Sequence, residues 1–194
     1  MTTPLVNPNR STQTGGWLTR LNVGAGGYAM PGWTNIDSSP NSAADVIASV
    51  PPLLWADESV DEVYAGHFLE HLSKDTGAEF LRECYRVLKP GGRLGIVVPH
   101  TREIMRRYIE GVHEQFQVPA GQFWYTDDLD ALCSVFIFST VQESHHLWLY
   151  DLKSLTVAVE GAGFKVTGEI HPLYDPRIAG PAWWNLGVDA VKDS

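Results

Sequence analysis

Three residues that can bind metal or move protons lie close together: His67, Glu70 and His71 fit the pattern H-x-x-E-H. On a helix, both histidines would share one face and hold a zinc ion, with the glutamate as base, as in inverted zinc proteases. The segment directly follows an apolar run, which argues against a helix there. Two interpretations stay open: a zinc-dependent hydrolase, or a glutamate and a histidine that are hydrogen-bonded to the backbone.

A glycine turn is the second feature with chemical meaning. Residues 24–29 read G-A-G-G-Y-A and fit the dinucleotide pattern G-x-G-x-x-G/A, in which glycine lets the backbone approach a ligand. That pattern also requires a helix and then an acidic residue about 20 residues further on. Here Asp37 follows Gly24 by only 13 residues, with Pro31 and Gly32 between them. The turn therefore favours a mononucleoside without a pyrophosphate, whose ribose Asp37 would bind; a turn without any ligand is the alternative.

Histidines at other positions are candidate general bases, because histidine exchanges protons near neutral pH. His100 follows an apolar run, and His145 and His146 precede a late helical pattern. In open parallel sheets, ligands bind beyond the carboxyl ends of the strands. That rule favours His67 and His100 by location.

The elements that must position these residues follow from hydrophobic patterning. Short apolar runs predict four early strands: Leu18–Val23, Trp33–Asp37, Ala44–Ala48 and Val60–Ala65. Apolar residues then recur at helical spacing from Gly77 to Leu88, with Thr76 and Glu79 at the spacing of a capping box. The run Lys89–Gly92 (K-P-G-G) ends that helix, because proline cannot continue the hydrogen-bond ladder.

The second half of the chain continues the alternation. It predicts a buried strand Arg93–Pro99, a helix Thr101–Glu110, a helix capped by Asp151 and two final strands, Phe164–Ile170 and Asn185–Val191. No helix is predicted between the last two strands, so they form an antiparallel pair at the sheet edge. The pattern as a whole indicates an α/β domain with a mainly parallel sheet.

Residues 112–150 interrupt this rhythm with many aromatic residues spread among polar ones. Insertions of this length are usually functional, which favours a lid or cap over the substrate site. A homodimer interface is the other interpretation. Residues 1–16 are polar and are predicted to form a flexible leader, which leaves residues 17–194 as a single domain.

Composition limits the partners. The chain has 194 residues and a net charge of −9, so its surface repels phosphate backbones and nucleic acid is not an expected partner. Two cysteines are too few for a disulfide framework. Neither a signal sequence nor a membrane-spanning run is recognisable, so we expect a cytoplasmic protein with no membrane contact.

A family resemblance appears at the glycine turn. Residues 21–26 (L-N-V-G-A-G) and 31–37 (P-G-W-T-N-I-D) resemble the first two motifs of class I S-adenosylmethionine-dependent methyltransferases. They are most similar to the small methyltransferase-11-like branch, in which a short loop replaces the first helix. The resemblance continues through Ser59–Tyr64, Leu69–Leu72, Tyr85–Gly92 and Glu160–Phe164. It implies a Rossmann-like domain with a mixed seven-stranded sheet.

The resemblance also implies roles for individual residues. Asn22 and the turn residues Gly24, Ala25 and Gly26 would line the methionine part of S-adenosylmethionine, and Asp37 would hold its ribose. Ser49 would lie beside the adenine. Gly66 and His67 would face the sulfonium. The family usually has an acidic residue at the position of Asn22 and often a carboxylate beside the adenine, where this chain has Ser49.

These observations predict a methyltransferase that moves the methyl group of S-adenosylmethionine to a small-molecule acceptor, with a hydroxyl of a sugar or natural product as the first expectation. His67, His100 and His146 are the candidate bases, and no residue is assigned to a metal in this interpretation. The alternatives are the zinc-dependent hydrolase and a catalytically silent cofactor-binding protein.

Overall fold

One mixed β-sheet organises the computed structural model, which describes residues 5–6, 18–112, 145–169 and 184–193. Its strands are β1 Leu5–Val6, β2 Arg20–Val23, β3 Thr34–Asp37, β4 Val46–Ile47, β5 Val60–Gly66, β6 Leu88–Pro99, β7 Phe164–Glu169 and β8 Asn185–Lys192. Their order across the sheet is β1-β4-β3-β2-β5-β6-β8-β7. The centre of the sheet is therefore β2, β5 and β6.

The strand directions confirm the predicted mixed sheet. Strands β2 to β6 run parallel to one another, while β8 pairs antiparallel with both β6 and β7. These are the seven predicted strands. A two-residue strand, Leu5–Val6, adds an antiparallel edge beside β4. At these two residues the structure differs from the predicted flexible leader.

Three helices lie in the described residues: α1 Lys74–Val87, α2 Thr101–Glu110 and α3 Leu152–Gly161. The predicted α2 is confirmed, and so is the Asp151 cap of α3, whose carboxylate accepts a hydrogen bond from the Ser154 amide. The predicted capping box at the start of α1 is wrong. Ser73 is the N-cap and accepts from the Thr76 amide, so the helix begins earlier than the apolar periodicity indicates.

The sheet and helices enclose one main apolar core. α1 contributes Phe80, Leu81 and Cys84, all fully buried, and α3 contributes Leu155 and Val159. Burying such side chains stabilises the fold by about 1.5–3 kcal/mol each. The core fixes the carboxyl ends of β2, β5 and β6 relative to one another.

Most of the predicted insertion, residues 113–144, and most of the predicted leader lie outside the described residues. The part of the insertion that the structure describes, 145–150, is attached to the short turn after β5 through backbone hydrogen bonds to Glu70. None of the described helices is long and apolar enough to cross a bilayer.

Candidate functional site

The carboxyl ends of the central strands bring together most of the residues predicted from sequence. His67 directly follows β5 and has a positive φ of 50°, and Asp37 ends β3. His100 follows β6 and caps α2. Because β8 is antiparallel to β6, its first residue, Asn185, pairs with Pro99 and reaches the same edge. Strand polarity thus assembles the site from four separate segments.

Backbone amides of the glycine turn donate hydrogen bonds within the protein and are therefore not available to bind a phosphate. The amides of Gly24 and Ala25 both donate to the Ile36 carbonyl, at 2.9 and 3.0 Å, and the Gly26 amide donates to Asp37 Oδ2 at 2.8 Å. A pyrophosphate site needs such amides pointing at the ligand. The geometry therefore agrees with the interpretation as a nucleoside site without a pyrophosphate.

Gly24 and Gly26 have different roles in this turn. Gly24 has a φ of +72°, and a Cβ there would lie 2.6 Å from Cδ2 of Phe68. Phe68 in turn packs edge-on against Phe80, with ring centroids 5.1 Å apart. A Cβ on Gly26 or Gly27 would meet nothing within 4 Å. The close approach at Gly24 is thus to a side chain of the protein, and the open face of the turn lies at Gly26 and Gly27.

Replacing Gly24 by alanine should therefore lower the free energy of unfolding by about 2–5 kcal/mol. The left-handed backbone costs an alanine about 1–2 kcal/mol, and overpacking against Phe68 adds about 1–3 kcal/mol. Urea unfolding followed by circular dichroism measures this loss. Gly27→Ala is the matched control, since Gly27 has neither a positive φ nor a neighbour. Equal stability of the two variants would contradict the packing that we describe.

Two backbone amides fix the carboxylate of Asp37, the residue predicted to hold the ribose. Its Oδ2 accepts from the Gly26 amide and its Oδ1 accepts from the Ser39 amide, each at 2.8 Å. The side chain is half-buried, and each carboxylate oxygen can accept more than one hydrogen bond. The two backbone bonds fix the carboxylate at the end of β3 and leave acceptor capacity for a ligand.

A buried amide network takes the place of a helix between β2 and β3. Asn35 Oδ1 accepts from Asn22 Nδ2 at 2.9 Å and from the Met30 amide at 2.7 Å, while Asn35 Nδ2 donates to Asp45 Oδ2 at 2.7 Å. Asn22 Nδ2 is also 3.3 Å from the Tyr28 carbonyl. These bonds hold the loop that replaces the first helix, as the family resemblance predicts.

We expect Asn35→Ala to lower the free energy of unfolding by about 2–4 kcal/mol, because it leaves several buried polar groups without partners. Chemical unfolding of the variant beside Asn41→Ala, an exposed asparagine of the neighbouring turn, measures the effect. A loss no larger in Asn35→Ala than in Asn41→Ala would show that the network does not stabilise the loop.

Asn22 carries the clearest sign of a missing ligand in the turn. It is fully buried, and within the described residues its Oδ1 has no hydrogen-bond partner. A buried acceptor without a partner is costly and rare. An ammonium group, which the acidic residue usual at this position would bind, is a fitting donor for this oxygen.

The other predicted cofactor residues lie around this turn. Ala25 is fully buried, so it shapes the turn from inside the core. Ser49 is exposed, one residue beyond Ala48, whose amide donates to the Asp37 carbonyl at 2.9 Å. Gly66 is the buried last residue of β5. Ser49 therefore follows a residue that is hydrogen-bonded to the Asp37 backbone, and Gly66 directly precedes His67; their cofactor roles stay predictions.

His67 is held at both ring nitrogens. Its Nδ1 lies 3.1 Å from Glu70 Oε1, and its Nε2 lies 2.8 Å from Asn185 Oδ1. A carboxylate can only accept, so Nδ1 carries a proton and neutral His67 has its lone pair on Nε2. If His67 is neutral, the Asn185 side chain donates its NH₂ group to that lone pair. If His67 is protonated, Nε2 donates to the Asn185 oxygen. Sequence reasoning missed Asn185, since nothing local marks it.

Glu70 is the most buried charge at the site, with 1% of its surface exposed. Burial raises its pKa, but the hydrogen bond from His67 and the charges of His67, His71 and His146 outweigh this, so the pKa lies below its usual value. The carboxylate is therefore ionised at neutral pH. Its backbone carbonyl accepts from the Leu147 and Trp148 amides, at 2.7 and 3.1 Å.

The geometry of an inverted zinc protease does not form. His67 lies in a left-handed conformation after β5, and only Leu69–His71 form a short 3-10 turn. His67 and His71 therefore do not share a helical face, which was the premise of the zinc hydrolase. His71 lies beside His146, with ring centroids 4.9 Å apart.

The remaining histidines differ in exposure and bonding. His100 is half-buried; its Nδ1 caps α2 by accepting from the Glu103 amide at 3.4 Å, which leaves the proton of the neutral ring on Nε2. His145 is exposed, and its carbonyl lies 3.2 Å from Nδ1 of His71. His100 is therefore better suited to donate a hydrogen bond than to accept a proton.

An open cleft of about 610 Å³ lies between α2 and the start of α3. Its lining combines apolar and polar residues, including Met105, Ile109, Leu149, Tyr150 and Asp151. Burial and the charge of Glu70 raise the pKa of Tyr150 to about 12, so its hydroxyl keeps its proton. The cleft lies where residues 112–150 leave and re-enter the described fold, and no sequence pattern marks it.

Comparisons with known proteins agree with this fold. Residues 33–96, about a third of the chain, match the family model described as a methyltransferase domain. The chain matches no curated protein sequence. Solved structures with the same fold include an S-adenosylmethionine-dependent methyltransferase from Mesorhizobium loti, at 16% identity and a TM-score of 0.54, covering 91% of this chain and 92% of that one.

Two further structures show how widely the fold is used. One, from Thermotoga maritima, is described as a possible histamine N-methyltransferase and matches at 16% identity, with a TM-score of 0.55 and coverage of 90% and 82%. The other is the cyclase SpnF, at 18% identity, a TM-score of 0.53 and coverage of 93% and 77%. At these identities the similarity shows the fold, and the reaction has to be argued from the site.

Proposed function

We propose that this chain, a class I S-adenosylmethionine-dependent methyltransferase by its family-model match and its fold, methylates a hydroxyl group of a small-molecule acceptor such as a sugar or natural product. The observation that carries the proposal is His67, a histidine oriented by a buried carboxylate at the end of the central strand. A hydroxyl acceptor needs a base, whereas the methyl donor itself needs none.

The turn and Asp37 fit S-adenosylmethionine in particular. This cofactor has a ribose diol, an ammonium group and no phosphate. Asp37 supplies acceptors for the diol, and the Asn22 Oδ1 supplies one for the ammonium group. The amides that a phosphate would need are already donated to Ile36 and Asp37. The chain's charge of −9 also favours a ligand with a net positive charge.

When bound, the cofactor supplies an electrophilic methyl group on a sulfonium, so the protein has mainly to align the acceptor and exclude water. We assign that alignment to the edge formed by Gly66, His67 and His100. His67 takes the proton of the acceptor hydroxyl at Nε2, where the hydroxyl replaces the Asn185 amide. Glu70, at Nδ1, orients the ring and stabilises its charged form.

The acceptor reaches this edge through the cleft beside α2. Thr101, in the cleft wall, directly follows His100. Tyr150 is also in the wall, and the charge of Glu70, the residue that orients His67, helps to raise the pKa of its hydroxyl. The wall offers apolar side chains together with Arg102, Asp151 and Ser154. Such a mixture suits a polyhydroxylated molecule with an apolar face.

The direct test is formation of S-adenosylhomocysteine when the purified chain is incubated with S-adenosylmethionine and a panel of hydroxyl, amine, thiol and carboxylate acceptors. Product that forms only with hydroxyl compounds, and that mass spectrometry shows to be an O-methyl derivative, supports the proposal. Turnover with amines or carboxylates alone would overturn the acceptor class. Binding of the cofactor without turnover by any acceptor would favour the silent binding protein instead.

A further inference from the structure

A second cluster of chemistry-bearing side chains lies beside His67 and shares only Glu70 with the proposed methyl-transfer site. Glu70, His71 and His146 each place one metal-ligating atom so that the three atoms lie within 4.8 Å of one another. Ligands around a zinc ion, each about 2.1 Å from it, lie roughly 3–4 Å apart. The observed limit of 4.8 Å is close to that spacing.

Glu70 supplies an independent sign of a missing cation. Its Oε1 is bonded to His67, but within the described residues its Oε2 is buried and has no hydrogen-bond partner. A buried charge with an unsatisfied oxygen is costly unless a positive group binds it.

His71 is held in the tautomer that a metal ligand requires. Its Nδ1 lies 3.2 Å from the His145 carbonyl, which can only accept, so Nδ1 carries the proton. The neutral ring then has its lone pair on Nε2. Metal-binding histidines in proteins usually donate their second ring nitrogen to a carbonyl or carboxylate in this way.

The backbone fixes His146 against the same turn. The two amides that follow it, those of Leu147 and Trp148, both donate to the Glu70 carbonyl. This attachment places the His146 ring 4.9 Å from the His71 ring, centroid to centroid. The site is therefore built from two segments, more than 70 residues apart in sequence, that are joined by hydrogen bonds around Glu70.

We propose that Glu70, His71 and His146 bind a divalent transition-metal ion. Two imidazoles and one carboxylate select ions such as Zn²⁺ over Mg²⁺ or Ca²⁺, which prefer oxygen ligands. Three protein ligands leave at least one coordination position for water or a substrate oxygen. The site differs from the H-x-x-E-H motif, because Glu70 is a ligand in it and His67 is not.

The experiment uses the full chain after treatment with a chelator and dialysis. Zn²⁺ binding is measured by titration calorimetry, and Co²⁺ binding by its visible absorption, which reports coordination directly. His146→Gln and His71→Gln remove one ligand each. His145→Gln is the matched control, because that side chain is exposed and its backbone carbonyl is retained. Circular dichroism establishes that each variant is folded.

One equivalent of Zn²⁺ is expected to bind to the wild type and to His145→Gln, with affinity at least 10-fold weaker in His146→Gln and His71→Gln. The Co²⁺ spectrum should change in the same two variants. The absence of saturable Zn²⁺ binding to the wild type would overturn the proposal, and so would equal affinity in all four proteins. If a ligand variant does not fold, the Zn²⁺ stoichiometry and the Co²⁺ spectrum of the wild type alone test the proposed metal site.

Discussion

Replacing His67 by glutamine is expected to lower methyl-transfer turnover by about 100-fold or more while leaving the affinity for S-adenosylmethionine nearly unchanged. General-base catalysis contributes about 10²–10⁴ to the rate, and a glutamine side chain cannot take the proton. Glutamine can still bond to Glu70 and Asn185, which enclose His67 in the wild type. The loss should therefore be one of turnover and not of folding or cofactor binding.

The measurement is the rate of S-adenosylhomocysteine formation with the first hydroxyl acceptor found, beside calorimetric titration of the cofactor. His100→Gln and His146→Gln are the informative comparisons, because both histidines are candidate bases in the sequence. If His67→Gln keeps its turnover and one of the other two variants loses it, the base has been assigned to the wrong histidine.

Asp37→Ala should weaken binding of S-adenosylmethionine and of S-adenosylhomocysteine by roughly 100-fold. Removing the hydrogen-bond acceptor of a bound ribose diol costs about 1–3 kcal/mol, and 100-fold in affinity corresponds to about 2.8 kcal/mol. The variant also removes the acceptor of the Gly26 amide, which loosens the open face of the glycine turn. Both ligands carry the same ribose, so both should lose affinity equally.

Ser38→Ala, next to Asp37 and exposed, is the control for that measurement and should bind like the wild type. Asp37→Asn tests the charge, since it keeps the shape of the side chain but replaces one acceptor oxygen by a donor. Wild-type affinity in Asp37→Ala would mean that the ribose is bound elsewhere. A loss of affinity for S-adenosylmethionine alone would mean that Asp37 interacts with the sulfonium and not with the ribose.

The strands were predictable because a buried strand appears in the sequence as a short run of apolar residues. The run Arg93–Pro99 is apolar on both faces, and in the structure it forms the end of the central strand β6. The mixed edge was predictable for a similar reason: β7 and β8 follow each other in the predicted order without an intervening helix, and they pair antiparallel. The short distance from Gly24 to Asp37 left no room for a first helix, and the Asn35 network now fills that place.

The parts that sequence did not predict depend on contacts between distant segments. Asn185 meets His67 only because β8 runs antiparallel to β6. His146 meets His71 only because the segment after it bonds to the Glu70 carbonyl. His67 takes a left-handed conformation directly after β5, so the helix that the zinc hydrolase alternative required does not form there. No spacing rule within one segment carries this information.

Phe68 shows the same limitation at the glycine turn. A pattern of glycines indicates a close approach, but it does not say what approaches. At Gly24 the neighbour is the Phe68 ring, and the open side lies at Gly26 and Gly27.

The fold likewise does not select the reaction, because both methyltransferases and the cyclase SpnF share it. The cofactor contacts and the acceptor base have to be tested separately.

Titration calorimetry of the chelated protein with S-adenosylmethionine, and in parallel with S-adenosylhomocysteine, tests the central claim most directly. We expect saturable binding of both ligands with micromolar affinity at one site per chain, because the parts that we propose Asp37 and the glycine turn to contact are shared by the two ligands. Absence of binding by either ligand to folded protein would contradict the assignment of this site to S-adenosylmethionine.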